Sequence, residues 1–443
     1  MEEQNPWKVW SITDDNDFST HLQPFSFMAN VTISQVSAIL REDVDPMIKD
    51  LYISGSASPL MRAWKEGRNA GENTSDFDFK NGSISYIVAR FGRHSGVRSQ
   101  GEESALPQGK TQKERMSFTP KILNGSARFT LLTIEGTKNR EGALVSELVD
   151  SATQMMERAR IHFSRQLHND GTGTLALVND ATPNSQTTIP VDNVRSINLA
   201  DILQKDDSIR IGTAAEITGT GSPMDATVAS INSNTSMTIV ETSSGLADDD
   251  LITMADNYVD GAYTEKMGAL GLLVTSGTVQ SLDTATRFYL KSNLETNATG
   301  ITKALLLQYL MLTKGYSKGS NYSVLAGDLY WRLIELFTGT PQPDPAAPAT
   351  IFHGGAEGLT IHWVTASSPI TFDPFQRPAS IYGLDFNNIG YKTLYPLGFV
   401  DDGEKMVHRV SGYNVYEIAA SEAGNAYVID PKSCFRMEAK TTS

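Results

Sequence analysis

The stretch SRQLHNDGTG, residues 164–173, closes the longest helical pattern in the chain. Upstream of it, from residue 141, apolar residues recur every three or four positions along one stripe, and charged residues fill the other faces. At 1.5 Å per residue, a helix over residues 141–168 would be about 40 Å long. Asn169, Asp170 and Gly171 predict its end, because Gly or Asn can adopt the left-handed conformation that satisfies the last helical carbonyls.

A long hairpin is predicted before this helix. Residues 84–91 (ISYIVARF) and 115–120 (RMSFTP) have the aromatic and β-branched composition of strands. The intervening residues 92–114 are polar and include four glycines. A two-stranded ribbon is marginally stable alone in water, and loops this long are usually functional or disordered. We therefore expect the hairpin to project and to be completed by another surface.

The composition changes after the helix. Residues 174–263 are rich in Thr, Ser, Asp and Gly, with short strand patterns, one of them AEITGT, that predict a small antiparallel barrel or sandwich. Helical patterns return at residues 284–294 and 300–315, and mixed strands and helices follow to the C-terminus. An amphipathic helix is also predicted near the start, over residues 31–51. The fold class is therefore α+β, with an all-β module between two helical segments.

Charge and cysteine content narrow the function classes. The chain has 443 residues, 37 of them Lys or Arg and 51 Asp or Glu, for a net charge of −14. This balance disfavours a protein that is held to nucleic acid by charge. The single cysteine, Cys434, allows no intrachain disulfide and is interpreted as a small buried apolar residue. No signal segment or membrane span is predicted, so we expect a soluble protein of a reducing compartment.

Three motifs resemble catalytic or metal sites but lack the required context. LPQGKT, residues 106–111, has no first glycine of a phosphate-binding loop and is flanked by strands. GYSKG, residues 315–319, has the spelling of a nucleophile elbow, but Ser317 follows a helix and precedes a strand. His162 and His168 lie on different sides of one helix and cannot easily share a metal. We therefore predict no enzyme, no catalytic or metal site and no cofactor.

The order of these elements resembles the HK97-fold major capsid proteins of tailed double-stranded DNA bacteriophages. The resemblance is carried by residues 147–173, by the inserted strands, by residues 263–292 with Glu265, Met267 and Gly268, and by the helix–strand–helix of residues 301–337. It implies an HK97-like capsid fold with the following parts: an N-terminal arm and helix (1–75), an E-loop β-hairpin (76–138), a P-domain with a spine helix (139–173), an inserted β-barrel-like domain (174–263), an A-domain (264–378), and P-domain return strands with the C-terminus (379–443).

The resemblance also implies a function. Subunits of this family self-assemble into the hexamers and pentamers of an icosahedral shell that encloses double-stranded DNA. The expected partners are copies of the chain itself, a portal protein and, as further candidates, separate scaffolding and decoration proteins. The packaged DNA is expected to be enclosed rather than tightly bound, and the protein to be made in the host cytoplasm and to reside in the virion. Because the segment before the hairpin is short, we expect no large N-terminal segment to be removed.

The hairpin tip supplies the candidate inter-subunit contacts. It mixes both signs of charge, which suits exchange of ion pairs with a neighbouring subunit. The candidates are Arg93, Arg98, Glu102, Glu103, Lys110, Lys113 and Glu114.

Three other interpretations remain open. An encapsulin-type nanocompartment shares the fold and would need a docking site for cargo peptides. A β-rich adhesion or tail protein, suggested by the Thr- and Ser-rich strands, would show repeats throughout the chain, and none are evident. An enzyme would need a catalytic site, which the motifs do not provide.

Overall fold

The computed structural model of the chain describes residues 58–65, 84–92, 95–99, 108–130, 141–181, 183–194, 198–317, 322–338, 360–363, 366–400, 407–410 and 412–440. The helix predicted over residues 31–51 lies outside these ranges. The α-helices are α1 (Pro59–Lys65), α2 (Glu141–His168), α3 (Leu199–Ile202), α4 (Ala269–Leu272), α5 (Lys303–Lys314) and α6 (Tyr330–Thr338). No helix in the described ranges combines the length and the apolar character needed to cross a membrane.

The strands form several small sheets and one barrel. In chain order they are β1 (Ser85–Gly92), β2 (Gln112–Phe118), β3 (Lys121–Thr130), β4 (Ala176–Val178), β5 (Thr188–Asn193), β6 (Ser208–Gly212), β7 (Met224–Ser233), β8 (Ser236–Ile239), β9 (Leu251–Met254), β10 (Tyr258–Val259), β11 (Ala262–Tyr263), β12 (Thr278–Val279), β13 (Leu282–Asp283), β14 (Asn293–Glu295), β15 (Tyr322–Ala326), β16 (Thr360–Trp363), β17 (Ala366–Phe372), β18 (Ile381–Asp385), β19 (Ile389–Phe399), β20 (Val407–Arg409), β21 (Val415–Val428) and β22 (Phe435–Met437).

Helix α2 covers the residues that the apolar stripe predicts, Glu141–His168. In its described half, the stripe residues Ala152, Met156, Phe163 and Leu167 are buried. The helix ends as predicted, because Gly171 lies in the left-handed region with φ of +86°.

A six-stranded mixed sheet forms one layer of the body, in the order β14-β22-β18-β15-β17-β16. Strand β15 runs parallel to β17 and antiparallel to β18. Helices α5 and α6 cover this sheet with Leu310 and Leu333, which share a core with Val324 and Phe435. The sheet crosses the implied boundary at residue 378, because β18 and β22 pair with strands that are distant in sequence.

The second sheet is built around the 14-residue strand β21. Strands β19 and β20 pair with one edge of β21. Strand β3 pairs antiparallel with the other edge, from Lys121 opposite Gly424 to Thr130 opposite Val415. Strand β3 therefore belongs to this body sheet, although the implied hairpin range of residues 76–138 included it. The β1–β2 ribbon alone forms the hairpin.

The segment predicted to be a small barrel or sandwich forms a closed barrel, in the order β4-β5-β8-β7-β6-β9. Its core contains Val191, Ile209, Val228, Met237 and Ile252, and every buried member of that core lies between residues 175 and 254. The barrel thus encloses its own hydrophobic core.

Two predicted elements differ in the structure. The expected strand at residues 215–220 is a helical turn, Glu216–Thr220. Thr213 and Glu216 form reciprocal side-chain to backbone hydrogen bonds, a capping box that starts a helix rather than a strand. The expected helix at residues 284–294 contains only a short 3₁₀ turn, Phe288–Leu290, followed by β14.

Candidate inter-subunit surface

The inner face of the β1–β2 ribbon packs on the body of its own chain. Ile87, Met116 and Phe118 are buried there and share a cluster with Leu290 and Tyr427. Phe118 stacks on Tyr427 with ring centroids 5.7 Å apart. Burial of a large apolar side chain contributes roughly 1.5–3 kcal/mol, so these contacts fix the base of the hairpin.

An ion pair and a ring stack hold the ribbon further toward its tip. Arg287 Nε donates a hydrogen bond to the Glu114 carboxylate, which lowers the pKa of Glu114. Phe91 stacks on Tyr289 with centroids 4.0 Å apart. Arg287 and Tyr289 belong to the segment that was expected to be helical, and these contacts with the ribbon accompany its irregular backbone.

The outward face of the ribbon is exposed. Val88 is 64% exposed, and Lys113 and Arg115 are exposed beside it. The guanidinium carbon of Arg115 lies 3.2 Å from the centre of the Tyr86 ring. Stacking orients the flat guanidinium and leaves its N–H edge able to bind a carboxylate. This outward face, defined by Tyr86, Val88, Lys113 and Arg115, therefore combines an apolar centre with two cations.

The described part of the tip extends the ribbon into solvent. The Ser95 N–H donates to the Lys110 carbonyl at 3.4 Å, and the Lys110 N–H donates to Ser95 Oγ at 3.1 Å. The two arms thus stay paired beyond the β1–β2 ladder. Val97 is 85% exposed.

The predicted contact residues fall into three groups. Arg98 and Lys110 are exposed at the tip, and Lys113 is exposed on the outward face. Glu114 faces the other way, because side chains alternate along a strand, and its carboxylate is bound by Arg287 of the same chain. Arg93, Glu102 and Glu103 lie outside the described residues. An inter-subunit role for any of these residues stays a prediction.

A set of buried residues at the C-terminal end of α2, called the node below, joins the segments of the body that carries the ribbon. Its members are Arg165, His168, Glu265, Lys266, Gly268 and Glu422. The Gly268 N–H donates to the carbonyl of Asn169 at 3.0 Å. A Cβ on Gly268 would lie 2.4 Å from the carbonyl oxygens of Gln166 and Leu167. Only glycine permits so close an approach of this segment to the helix end.

Lys266 and Glu422 form a fully buried ion pair in this node. Lys266 Nζ lies 2.7 Å from Glu422 Oε2 and donates to the Lys121 carbonyl at 2.6 Å. Tyr391 Oη donates to the other carboxylate oxygen at 2.6 Å. Burial lowers the pKa of Lys266, and Glu422 opposes this shift. The pair joins the segment after the barrel to strands β3, β19 and β21.

A second buried pair joins the same segment to α2. Arg165 donates two hydrogen bonds to the Glu265 carboxylate. Two turns away, Arg158 binds Asp207 at the base of the barrel. Loss of hydration, followed by the charges of Arg165 and Arg158, lowers the pKa of His162 to about 3. His162 therefore stays neutral at physiological pH and is far from the charge state that an acid–base catalyst would cycle through.

His168 connects α2 to two further elements. Its Nδ1 lies 2.9 Å from the Ser164 carbonyl, and its Nε2 lies 3.1 Å from the Asp373 carboxylate. The Ser58 hydroxyl, just before α1, also donates to Asp373. Burial alone would raise the pKa of Asp373, but the charge and hydrogen bond of His168, with bonds from Ser58 and the Phe375 N–H, hold that pKa below its usual value. These contacts fasten α1 and the turn after β17 to the helix.

A cavity of about 1140 Å³ lies between α2, β3 and the segment that leaves the barrel. Its charged lining residues include Arg158 and Arg165, both already bound to carboxylates within the chain. Among the residues that the structure describes, no group of three or more His, Cys, Asp or Glu could hold a metal ion.

Two nucleophilic side chains singled out from the sequence, Ser317 and Cys434, are described in the structure. Ser317 follows α5, and the next described element is β15, which is the reverse of a nucleophile elbow. Cys434 is buried as predicted. Burial raises the pKa of its thiol to about 12, so the reactive thiolate is suppressed.

The sequence predicts the ribbon, but it does not predict the buried residues of the node. In the sequence, Glu265, Met267 and Gly268 carry part of the family resemblance, which predicts no structural role for them. Lys266 pairs with Glu422, which lies far away in sequence, and no local pattern indicates that a Lys or Glu will be buried. A glycine in the motif was the one signal, since a close backbone approach requires it.

Comparisons with known proteins give structural matches alone. No protein-family model matches the chain, and no curated protein matches it either. The chain is similar to the capsid asymmetric unit of cyanophage A-1(L), with 8% identity and a TM-score of 0.45 over 83% of this chain and 90% of that one. It is also similar to the capsid of an empty GTA particle, with 10% identity and a TM-score of 0.38 over 91% and 99% of the two chains. The capsid of Myoviridae phage XM1 matches with 10% identity and a TM-score of 0.38 over 86% and 92%. All three are capsid structures.

Proposed function

We propose that this chain is the major capsid protein of a tailed double-stranded DNA bacteriophage. In this proposal it has the HK97-type fold and assembles into hexamers and pentamers of an icosahedral shell around the genome. The observation that carries the proposal is the β1–β2 ribbon. Its inner face packs on the body of its own chain, while its outward face and tip are exposed. Such a projecting arm is useful only if another molecule covers it.

The other elements receive matching assignments in this proposal. The ribbon is the E-loop. The P-domain consists of α2, which is its spine helix, and the β19–β21 sheet. The six-stranded sheet, with β18 and β22 among its strands, forms the A-domain together with α5 and α6. The closed barrel is the insertion domain, and the residues before 76 are the N-terminal arm.

The physical requirements of a shell support these assignments. Each subunit must bury area on several neighbours, and obligate interfaces commonly bury about 2,000–5,000 Å². A projecting ribbon supplies such area without a larger core. An exposed ion pair is worth only about 0–1 kcal/mol, but a closed shell repeats each contact in every subunit.

The charge of the chain fits containment of DNA. A strongly cationic inner wall would bind the genome phosphates through counterion release and would oppose their exit. With a net charge of −14, we propose that the DNA is enclosed rather than tightly bound. Portal, scaffolding and decoration proteins are the further partners that such a shell would use.

Removing the tip tests the proposal. Ser95 and Lys110 are hydrogen-bonded to each other, so residues 96–109 can be replaced by Asn-Gly, which forms a tight two-residue hairpin turn. We expect the unmodified chain to form closed icosahedral particles in electron micrographs. The shortened chain should remain a folded subunit, with an unchanged circular dichroism spectrum, and should form no particles.

A matched control separates tip chemistry from tip length. A Gly-Ser segment of the same length in place of residues 96–109 should also prevent normal assembly, because it keeps the reach but lacks the charges. Fibres or dispersed subunits from the unmodified chain would refute the capsid proposal. Normal particles from the Asn-Gly chain would refute the role of the tip.

A further inference from the structure

The charges of this chain are unevenly divided between the ribbon and the barrel. Residues 85–118 hold six basic and three acidic residues, and Glu114 is already bound by Arg287. The rest of the chain holds 31 basic and 48 acidic residues. The hairpin is therefore a cationic projection from an acidic protein.

The barrel carries most of the opposite charge. Residues 174–263 contain 13 acidic and three basic residues, so this segment accounts for −10 of the net charge. Of its basic residues, Arg210 is bound by Asp225. Eight of the acidic residues are exposed at described positions: Asp192, Asp201, Asp206, Asp225, Asp248, Asp249, Asp256 and Asp260.

We propose that the outward face of the ribbon docks on the barrel of a second copy of this chain. The inference rests on the proposed capsid function, in which every subunit is surrounded by copies of itself. Val88 and Tyr86 form the apolar centre of the contact, and Lys113 and Arg115 supply the flanking cations.

The composition of the face favours a protein surface over nucleic acid. Interfaces between proteins have an apolar core and a charged rim, and Val88 is placed at such a centre, directly across the ladder from Arg115. The stacked guanidinium of Arg115 is suited to bidentate binding of a carboxylate. Within a shell, a surface with the required carboxylates is present on each neighbour at high local concentration.

Photocrosslinking from the centre of the face tests this contact directly. Val88→p-benzoylphenylalanine replaces one exposed apolar side chain by another and keeps both cations. Particles are assembled from this unlabelled chain together with an excess of ¹⁵N-labelled unmodified chain, irradiated and digested. We expect crosslinks from position 88 to ¹⁵N-labelled peptides of residues 174–263. The probe at Trp331, which is 78% exposed on α6, is the matched control and should not reach the barrel.

The outcomes distinguish this inference from the proposed function. Particles whose position-88 crosslinks lead to labelled peptides outside residues 174–263, only to the same chain, or to packaged duplex DNA overturn the inference and leave the capsid proposal standing. Failure of the unmodified chain to form particles overturns both.

Charge reversal supplies a second readout. Lys113→Glu with Arg115→Glu should lower the assembly rate at least about tenfold, because acidic groups would then oppose the acidic barrel. Added salt should slow assembly of the unmodified chain and should not slow the reversed chain. Lys314→Glu, on the exposed side of α5, is the control for a simple increase in negative charge. Reversal to Lys of the acidic residues in the crosslinked peptides should restore assembly of the double variant, and full assembly of the double variant alone would overturn the inference.

Discussion

Lys266 and Glu422 show how single residues fix the body of this protein. Both side chains are buried, with exposed fractions of 0% and 1%. Removing charges from water is costly unless the pair is well placed and its remaining hydrogen-bonding atoms have partners. Here the Lys121 carbonyl and the Tyr391 hydroxyl supply those partners. The pair can therefore specify how the segment after the barrel meets the β21 sheet.

Lys266→Met should destabilise the chain by about 3–5 kcal/mol, because it leaves the Glu422 charge buried without its partner. The measurement is urea unfolding of unassembled subunits, followed by fluorescence. Adding Glu422→Gln to Lys266→Met should recover much of the loss, since the uncompensated charge is then gone.

The exposed pair Arg128–Glu417 provides the comparison. The Arg128 side chain is 65% exposed, and Arg128→Met should change the free energy of unfolding by no more than about 1 kcal/mol. Equal losses from Lys266→Met and Arg128→Met would show that the buried pair has no special role.

Individual residues were predictable only where a local rule applies. Gly171 could be assigned a left-handed conformation because a helix pattern ends beside it. Burial of Cys434 follows from its small, weakly polar side chain. In contrast, burial of Lys266 depends on a carboxylate contributed by a distant strand, and the inward direction of Glu114 depends on which face of the ribbon meets the body.

At the scale of elements, the end of α2 joins α1, the turn after β17 and the turn before α4. The turn before α4 approaches the last turn of α2 so closely that Gly268 hydrogen-bonds with Asn169. Gly268→Ala would bring a Cβ to within 2.4 Å of two helix carbonyl oxygens. These oxygens belong to the backbone of a buried helix and cannot rotate away.

We therefore expect Gly268→Ala to cost about 1–3 kcal/mol, the usual range for an overpacked core, with the same urea measurement. Hydrogen exchange should be faster in the last turn of α2 and in α4. Gly315→Ala is the matched control, because nothing lies within 4 Å of its Cβ position, and it should leave stability nearly unchanged. A Gly268→Ala chain as stable as the control would mean that the segment approaches the helix less closely.

The success of the element predictions depended on where the stabilising contacts lie. Helix α2 could be predicted from the sequence because the apolar stripe visible in the sequence is the face that the helix buries. Residues 215–220 have strand-like composition, but Thr213, just upstream of them, caps a helical turn, and the T-x-x-E spacing of this capping box is present in the sequence. The conformation of residues 284–294 could not be predicted from the local sequence, because Arg287 and Tyr289 contact the ribbon, which is distant in sequence.

At the scale of the whole molecule, the barrel is a module whose two chain connections to the body lie side by side. Its entrance and exit are adjacent, because Asn257 Nδ2 donates to the Thr172 carbonyl at 2.5 Å and the Leu175 N–H donates to the Ile252 carbonyl at 2.8 Å. Among the residues that the structure describes, its core draws on none outside 175–254. The Arg158–Asp207 pair joins it to α2, with the Arg158 side chain 32% and the Asp207 side chain 8% exposed. In a separated barrel the Asp207 carboxylate would keep its hydrogen bond from the Gln204 N–H.

A fragment of residues 172–264 should therefore fold alone and unfold in one cooperative transition, as small domains do. Ile239→Ala tests whether its core is the same as in the full chain. Ile239 is 1% exposed, and its truncation should cost about 2–5 kcal/mol. Urea unfolding followed by circular dichroism should give equal losses for the barrel in the fragment and in the full chain, because no core neighbour is missing from the fragment. An unfolded fragment, or a loss that differs by more than about 1 kcal/mol between the two contexts, would mean that the body completes the barrel.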